Sequence, residues 1–213
     1  SALLDCLSPG GRLLFTSSSE VYQGLDKSEV SETDIGCSTP EHPRACYIEG
    51  KRGGEALCHA FRAQGGTAVA ARIAHTYGPG TRRDDKRALN AFIQMALTRG
   101  EIELLDAGAA TRTYGYVGDL AADLWNILLR GKQAVYNVGG RSTVTIAELA
   151  GMIGRLTGAN VKLPVQSHEI AGAPREVKLN LQRIETEFGP QPRVGLEEGL
   201  SRTIAWQRNL YPN

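Results

Sequence analysis

Arg44-Ala-Cys-Tyr47-Ile-Glu-Gly-Lys51-Arg52 opens a helical segment that runs from Ala45 to about Gln64, between two apolar runs. The first run, Arg12-Leu-Leu-Phe-Thr16, follows Gly10-Gly11, and the second, Ala68-Val-Ala-Ala-Arg-Ile73, follows Gly65-Gly66. Short apolar runs after glycine suit buried parallel strands. Strand, helix, strand then predicts a parallel pair joined by a right-handed crossover, which makes the chain α/β. Tyr47 and Lys51 are four residues apart, so on a helix they share one face, one turn apart. Phenol is a poor base at neutral pH, and a fixed ammonium one turn away favours the phenolate. An exposed amphipathic pair has the same spacing, so the pair alone does not establish chemistry.

Upstream, Ser1 to Leu7 reads as the last turns of a helix closed by Ser8-Pro9-Gly10-Gly11. The polar stretch from the first strand to Pro43 is too long for a simple turn, and loops of that length more often carry function than structure. Gly50, Gly53 and Gly54 lie inside the Tyr47 helix, where each costs up to about 1 kcal/mol, which predicts close approach by another group. Downstream, His75-Thr-Tyr-Gly-Pro-Gly80 leaves the carboxyl end of the second strand, where open α/β sheets bind ligands. Leu89, Phe92, Ile93, Ala96 and Leu97 mark an amphipathic helix over 87–99. Short extended pieces follow at 101–105 and 111–116, a helix at 119–130, and a strand at 134–138. Thr145 with Glu148 three residues on forms a capping box for a helix to about Thr157. Residues 181–188 and 196–208 supply the last helices.

With 41% hydrophobic and 22% charged residues, the chain has the composition of an ordinary globular protein. A net charge of +1, from intermingled acids and bases, gives no argument for a nucleic-acid or anionic membrane partner. No apolar run reaches the roughly 18 residues of a membrane helix, and no signal peptide opens the chain. Cys6, Cys37, Cys46 and Cys58 lack metal or disulfide-framework spacing, so no metal site is expected and reduced, cytoplasmic thiols are. His42, His59 and His168 have no partner at ligand spacing.

Ser17-Ser-Ser-Glu-Val-Tyr22, the Tyr47 stretch, Ala71-Arg-Ile-Ala-His75-Thr-Tyr-Gly-Pro-Gly80 and Thr111-Arg-Thr-Tyr-Gly-Tyr-Val-Gly-Asp119 occur in that order. Together they resemble the extended short-chain dehydrogenase/reductases, NAD-dependent enzymes of nucleotide sugars, over nearly the whole chain. The resemblance implies Tyr47 as catalytic acid/base, and Lys51 as the residue that tunes it and holds the cofactor ribose. Ser18 falls on the hydroxyl partner, Glu20 on a catalytic-site carboxylate that orients the sugar with Ser18, and Ser17 beside the cofactor. Ser18-Ser19-Glu20 is similar to the Thr-Ser-Glu-Val-Tyr run of UDP-glucuronate decarboxylases, and the Tyr47 stretch to their Ser-Cys-Tyr-Asp-Glu-Gly-Lys-Arg. The implied reaction is UDP-glucuronate decarboxylation; nucleotide-sugar 4-epimerase and 4,6-dehydratase are the alternatives. Arg112 falls on an arginine that holds the substrate diphosphate. Ser19, His75, Lys86, Arg87 and Arg175 are the further substrate contacts. His75 departs from the usual Asn, and Asp85-Lys86-Arg87 reads equally well as a solvated charge run. The tail departs from the decarboxylases' Arg-Lys-Pro-Asp, leaving Arg175 as a substitute. The resemblance also implies a homodimer.

The expected fold is the second half of a Rossmann-type parallel sheet, residues 1–80, with a small α/β substrate lobe, 81–213, interleaved with it. No Gly-x-Gly-x-x-Gly or related loop follows a strand anywhere in the chain. That loop would bring backbone donors to pyrophosphate at a helix N-terminus. The chain therefore reads as beginning near the midpoint of a doubly wound sheet. A truncated, non-catalytic nucleotide-sugar or partner-binding module is the expectation from a different functional class.

Overall fold

A computed structural model describes residues 2–82, 84–164 and 178–210. In chain order the elements are α1 Ala2–Asp5, β1 Arg12–Ser18, a 3₁₀ turn Ser19–Tyr22, β2 Glu29–Val30, α2 Ala45–Ala63, β3 Thr67–Ile73 and β4 Thr76–Tyr77. Then come α3 Ala88–Arg99, β5 Glu101–Glu103, β6 Thr111–Tyr116, α4 Val117–Arg130, β7 Val135–Val138 and β8 Ser142–Thr145. The series closes with α5 Ile146–Thr157, β9 Asn160–Lys162, β10 Lys178–Leu179, α6 Gln182–Phe188 and α7 Leu196–Arg208.

The chain forms two compact units. The first comprises Ser1–Ala74, Asp119–Gly139 and Val177–Pro192; the second comprises His75–Gly118, Gly140–Glu176 and Arg193–Asn213. β7 returns to the first sheet and pairs in parallel with β3, Ala70 opposite Val135, so the chain beyond residue 80 contributes to both units.

In the first unit β1, β3 and β7 form a parallel sheet in the order β1-β3-β7, the parallel strand pair that the strand–helix–strand reading predicts. β3 is the central strand and is buried from Ala68 to Arg72. Val69, Ala71, Leu120, Ile127, Tyr136, Val138 and Ile184 pack into one apolar cluster. A second, smaller cluster joins Val21, Tyr22, Val30 and Leu179, where β2 pairs with β10. α2 packs on β1 through Gly54: a Cβ there would lie 2.2 Å from the Phe15 ring. Gly50 and Gly53 face open space, so close approach explains only one of the three helix glycines.

In the second unit β6 pairs with both β4 and β8, and β5 with β9. α3, α5 and α7 pack around one continuous apolar cluster that includes Phe92, Ile93, Leu149, Ile153, Leu200 and Ile204. Thr145 and Glu148 close the expected capping box, and Gly158 ends α5 in the left-handed conformation at φ 79°. The Tyr77 ring meets Tyr114 and Tyr116 edge-on, at 6.2 and 5.8 Å between centroids.

Candidate functional site

β1 runs two residues beyond the apolar run, so Ser17 and Ser18 sit at its carboxyl end and are buried. The chain then tightens into the 3₁₀ turn because the Ser18 Oγ accepts the Glu20 backbone N–H at 3.2 Å. That turn carries Ser19 and Glu20. The Glu20 carboxylate forms a two-point ion pair with the Arg44 guanidinium, with Nη2 donating to Oε1 at 2.6 Å. The hydrogen-bonded Glu20 carboxylate, against the effect of burial, holds the Arg44 pKa above its ordinary value.

Arg44 immediately precedes α2, and its guanidinium lies 5.0 Å from the Tyr47 ring centroid. Lys51 is one turn along, with its ammonium 5.5 Å from the same ring and donating to the Thr16 carbonyl at 2.8 Å. The carboxyl end of β1 and the first turns of α2 therefore gather Ser18, Glu20, Arg44, Tyr47 and Lys51. Tyr47 is 42% exposed, so its phenol is reachable from solvent. Two cations flank one accessible phenol, an arrangement suited to taking a proton from a bound hydroxyl group.

Ser17 lies differently. Its hydroxyl donates to the buried carboxylate of Glu55 at 2.5 Å, away from the Tyr47 cluster.

The remaining candidates stand in the second unit. His75 is exposed, and its ring lies 6.1 Å from that of Tyr114. Arg87 donates to Asp85 and reaches the Thr76 carbonyl at 3.4 Å, one residue from His75. The Arg87 bond holds the Asp85 carboxyl below the usual range. Lys86 is exposed. Arg112 lies on β6, two residues from Tyr114, so the two share a strand face. Its Nη1 donates to the Thr111 carbonyl at 2.6 Å. Arg175 and His168 lie outside the described residues. Among the described residues no group of three or more His, Cys, Asp or Glu gathers to hold a metal ion, and no helix is long and apolar enough to cross a membrane.

Sequence reasoning missed three participants. Arg44 stands in the stretch that decides the fold, yet nothing in its spacing shows that it holds Glu20. Glu55 continues the Tyr47–Lys51 stripe by one more turn, and Arg72 interrupts an apolar strand. A charge in a buried strand demands a buried partner, and that signal was available.

The fit to a dinucleotide is partial. The exposed Tyr47 phenol and the Lys51 ammonium suit its nicotinamide ribose, whereas the chain contains no glycine-rich turn for the pyrophosphate. The chain is similar to UDP-glucuronic acid decarboxylase 1 of Xenopus tropicalis, 35% identical over 200 residues, which are 93% of this chain and 47% of that protein. It is 32% identical to UDP-glucuronic acid decarboxylase 6 of Arabidopsis thaliana over 192 residues, 90% of this chain and 56% of the relative. The chain thus spans about half the length of the curated relatives it matches. The solved structure of MoeE5 in complex with UDP-glucose and NAD superposes with a TM-score of 0.78 at 30% identity, covering 98% of this chain and 69% of that one. The NAD dependent epimerase/dehydratase family matches residues 2–139, well over half of the chain, and the protein belongs to it.

Proposed function

We propose that the protein carrying this chain is an NAD-dependent nucleotide-sugar enzyme that decarboxylates UDP-glucuronate. The observation that carries this reading is the Glu20–Arg44 pair beside Tyr47 and Lys51, in a chain whose curated relatives are named UDP-glucuronic acid decarboxylases.

In this reading the Tyr47 phenolic oxygen takes the proton of the sugar 4-hydroxyl, with the Lys51 ammonium and Arg44 guanidinium against its ring. Ser18 and Glu20 orient the sugar ring. Tyr47 and Lys51 would hold the nicotinamide ribose of NAD, which supplies the acceptor for the C4 hydride and later returns it. Oxidation at C4 makes the uronate a β-keto acid, and carbon dioxide leaves as the C5–C6 bonding electrons pass into the C4 carbonyl. The enolate takes a proton at C5 from solvent, which restores the C4 ketone, and Tyr47 returns its own proton to the C4 oxygen when that ketone is reduced. Arg112, with Ser19, His75, Lys86, Arg87 and Arg175, would bind the nucleotide diphosphate and sugar; a planar guanidinium matches phosphate oxygens. The proposal extends to a cytoplasmic homodimer, supported by exposed Leu57 on α2 and exposed Trp125 and Leu129 on α4.

The test is to incubate the full-length protein with NAD⁺ and UDP-glucuronate and to follow the sugar nucleotides by chromatography. A UDP-pentose is expected, and Glu20→Ala should suppress its formation while UDP-glucuronate binding, measured by calorimetry, stays within about threefold. A UDP-hexuronate epimer with no pentose assigns the chain to 4-epimerisation. A 4-keto-6-deoxy product from a nucleoside-diphosphate hexose assigns it to dehydration.

A further inference from the structure

Tyr47, Lys51 and Glu55 follow one another at four-residue intervals and form a single stripe along α2. Each of the last two is tied to β1: Lys51 donates to the Thr16 carbonyl, and Glu55 accepts the Ser17 hydroxyl. The Glu55 carboxylate is also gripped by Arg72 of β3, with Nε donating to Oε1 at 2.9 Å and Nη2 to Oε2 at 2.7 Å. Both residues are 5% exposed. The third guanidinium nitrogen donates to the Tyr22 hydroxyl at 2.9 Å and to the carbonyls of Asp34 and Glu32. Tyr22 in turn donates to Asn137 of β7 at 2.6 Å. Burial works against the charge of Arg72, and its bonds to Glu55 and Tyr22 outweigh that, so it remains cationic.

We propose that Glu55 and Arg72 are a buried positioning pair that fixes the register of α2 on β1, and with it the stance of Tyr47 and Lys51 beside Ser18.

A buried ion pair is weak evidence for stability, because apolar residues of similar volume often replace one without loss. Its distinctive property is direction. The planar fork of an arginine meets a carboxylate in one geometry, whereas apolar surfaces can slide. Here the fork stands on the central strand, and the carboxylate stands on the helix that bears Tyr47. The Ser17 hydroxyl, one residue before Ser18, closes the triangle. A second tie has the same effect: Arg52 of α2 donates to the Val21 carbonyl at 2.9 Å, in the turn that carries Glu20. Two residues before Ser17 on β1, the Phe15 ring lies against Gly54 so closely that a Cβ there would sit 2.2 Å from it. A misplacement of about 1 Å at a reacting group can lower turnover by roughly 10²-fold, so the register of α2 matters to chemistry more than to folding.

The role rests on the functional reading for its kinetic consequence but not for its geometric one, and the experiment separates them. Glu55→Gln and the double apolar variant Glu55→Leu/Arg72→Met are made in the full-length protein, with Glu55→Asp as the conservative control. Turnover of UDP-glucuronate and competitive acetylation of Lys51, read by mass spectrometry, are both measured on folded protein. The double variant should keep its melting temperature within a few degrees and its KM within threefold. Its kcat should fall at least about tenfold, and Lys51 should acetylate at least about threefold faster once its bond to Thr16 is lost. Glu55→Asp should recover part of both changes relative to Glu55→Gln. Unchanged kcat and unchanged Lys51 reactivity in a folded double variant would overturn the proposal. A wild-type protein inactive on UDP-glucuronate would overturn the functional reading, and the acetylation rates would still decide the positioning role.

Discussion

The two units solve the burial problem in different ways. The first places charges and hydroxyls inside: Ser17, Glu55, Arg72 and Asn137 are all buried, and its apolar residues divide into two clusters around them. The second gathers aliphatic and aromatic side chains into one cluster, with Gln207 donating to Asn90 as a buried polar contact at 3.1 Å. Apolar packing is strong but non-directional, whereas hydrogen-bonded charges are directional and expensive to leave incomplete. The directional interior lies under the elements that carry Tyr47 and Lys51. The apolar interior supports elements that present His75, Arg87 and Arg112 near a surface. One unit is built to hold angles, and the other to hold shape.

The sharpest way to break this contrast is to remove one member of the buried pair. Arg72→Met leaves the Glu55 carboxylate buried without its partner, and urea unfolding should register a loss of about 3–5 kcal/mol. The double variant Glu55→Leu/Arg72→Met should recover most of it. A loss in the double variant equal to that in the single would show that the pair is structural glue after all.

In the second unit the matching change is apolar. Leu149 is fully buried in the α3–α5–α7 cluster, so Leu149→Ala should cost about 2–5 kcal/mol through lost contacts and a cavity. No second substitution at a polar site should restore it.

Alkali gives a smaller effect in the first unit. Burial pushes the Tyr22 phenol up to about 12, against the bonds from Arg72. Burial and the Glu187 carboxylate push Tyr136 up to about 12 as well. Below pH 10 both phenols are protonated whether the chain is folded or not, and their contribution is fully present. Between pH 10 and about 12 the unfolded chain ionises first, so stability falls as pH rises, by at most about 3 kcal/mol per phenol. Tyr22→Phe should flatten that part of the pH–stability curve; an unchanged slope would remove Tyr22 as a cause.

Local signals carried much of the architecture. Gly10-Gly11 and Gly65-Gly66 mark the starts of β1 and β3, and Thr145 with Glu148 marks the start of α5, because strand entry and helix capping depend on a few neighbouring residues. The two-residue β2, β4 and β10 have no periodicity long enough to read. Their partners are remote: Val30 pairs with Leu179. Interleaving of the lobe with the sheet is an expectation from sequence, but which stretches join each unit is not legible, since each unit is assembled from three separate ones. In the site, Tyr47 and Lys51 were legible from helical spacing. The Arg44–Glu20 pair was not, because an ion pair across 24 residues depends on how the intervening loop folds.

The central claim concerns Tyr47, and one measurement addresses it most directly. UDP-glucuronate labelled with ¹⁴C at C6 is incubated with NAD⁺ and the full-length protein, wild type or Tyr47→Phe, and released ¹⁴CO₂ is counted. The wild type should release label in step with UDP-pentose formation, and the variant should do so at least about 10²-fold more slowly. Release by Tyr47→Phe at a near-normal rate, or none from the active-site-intact protein, would contradict the account.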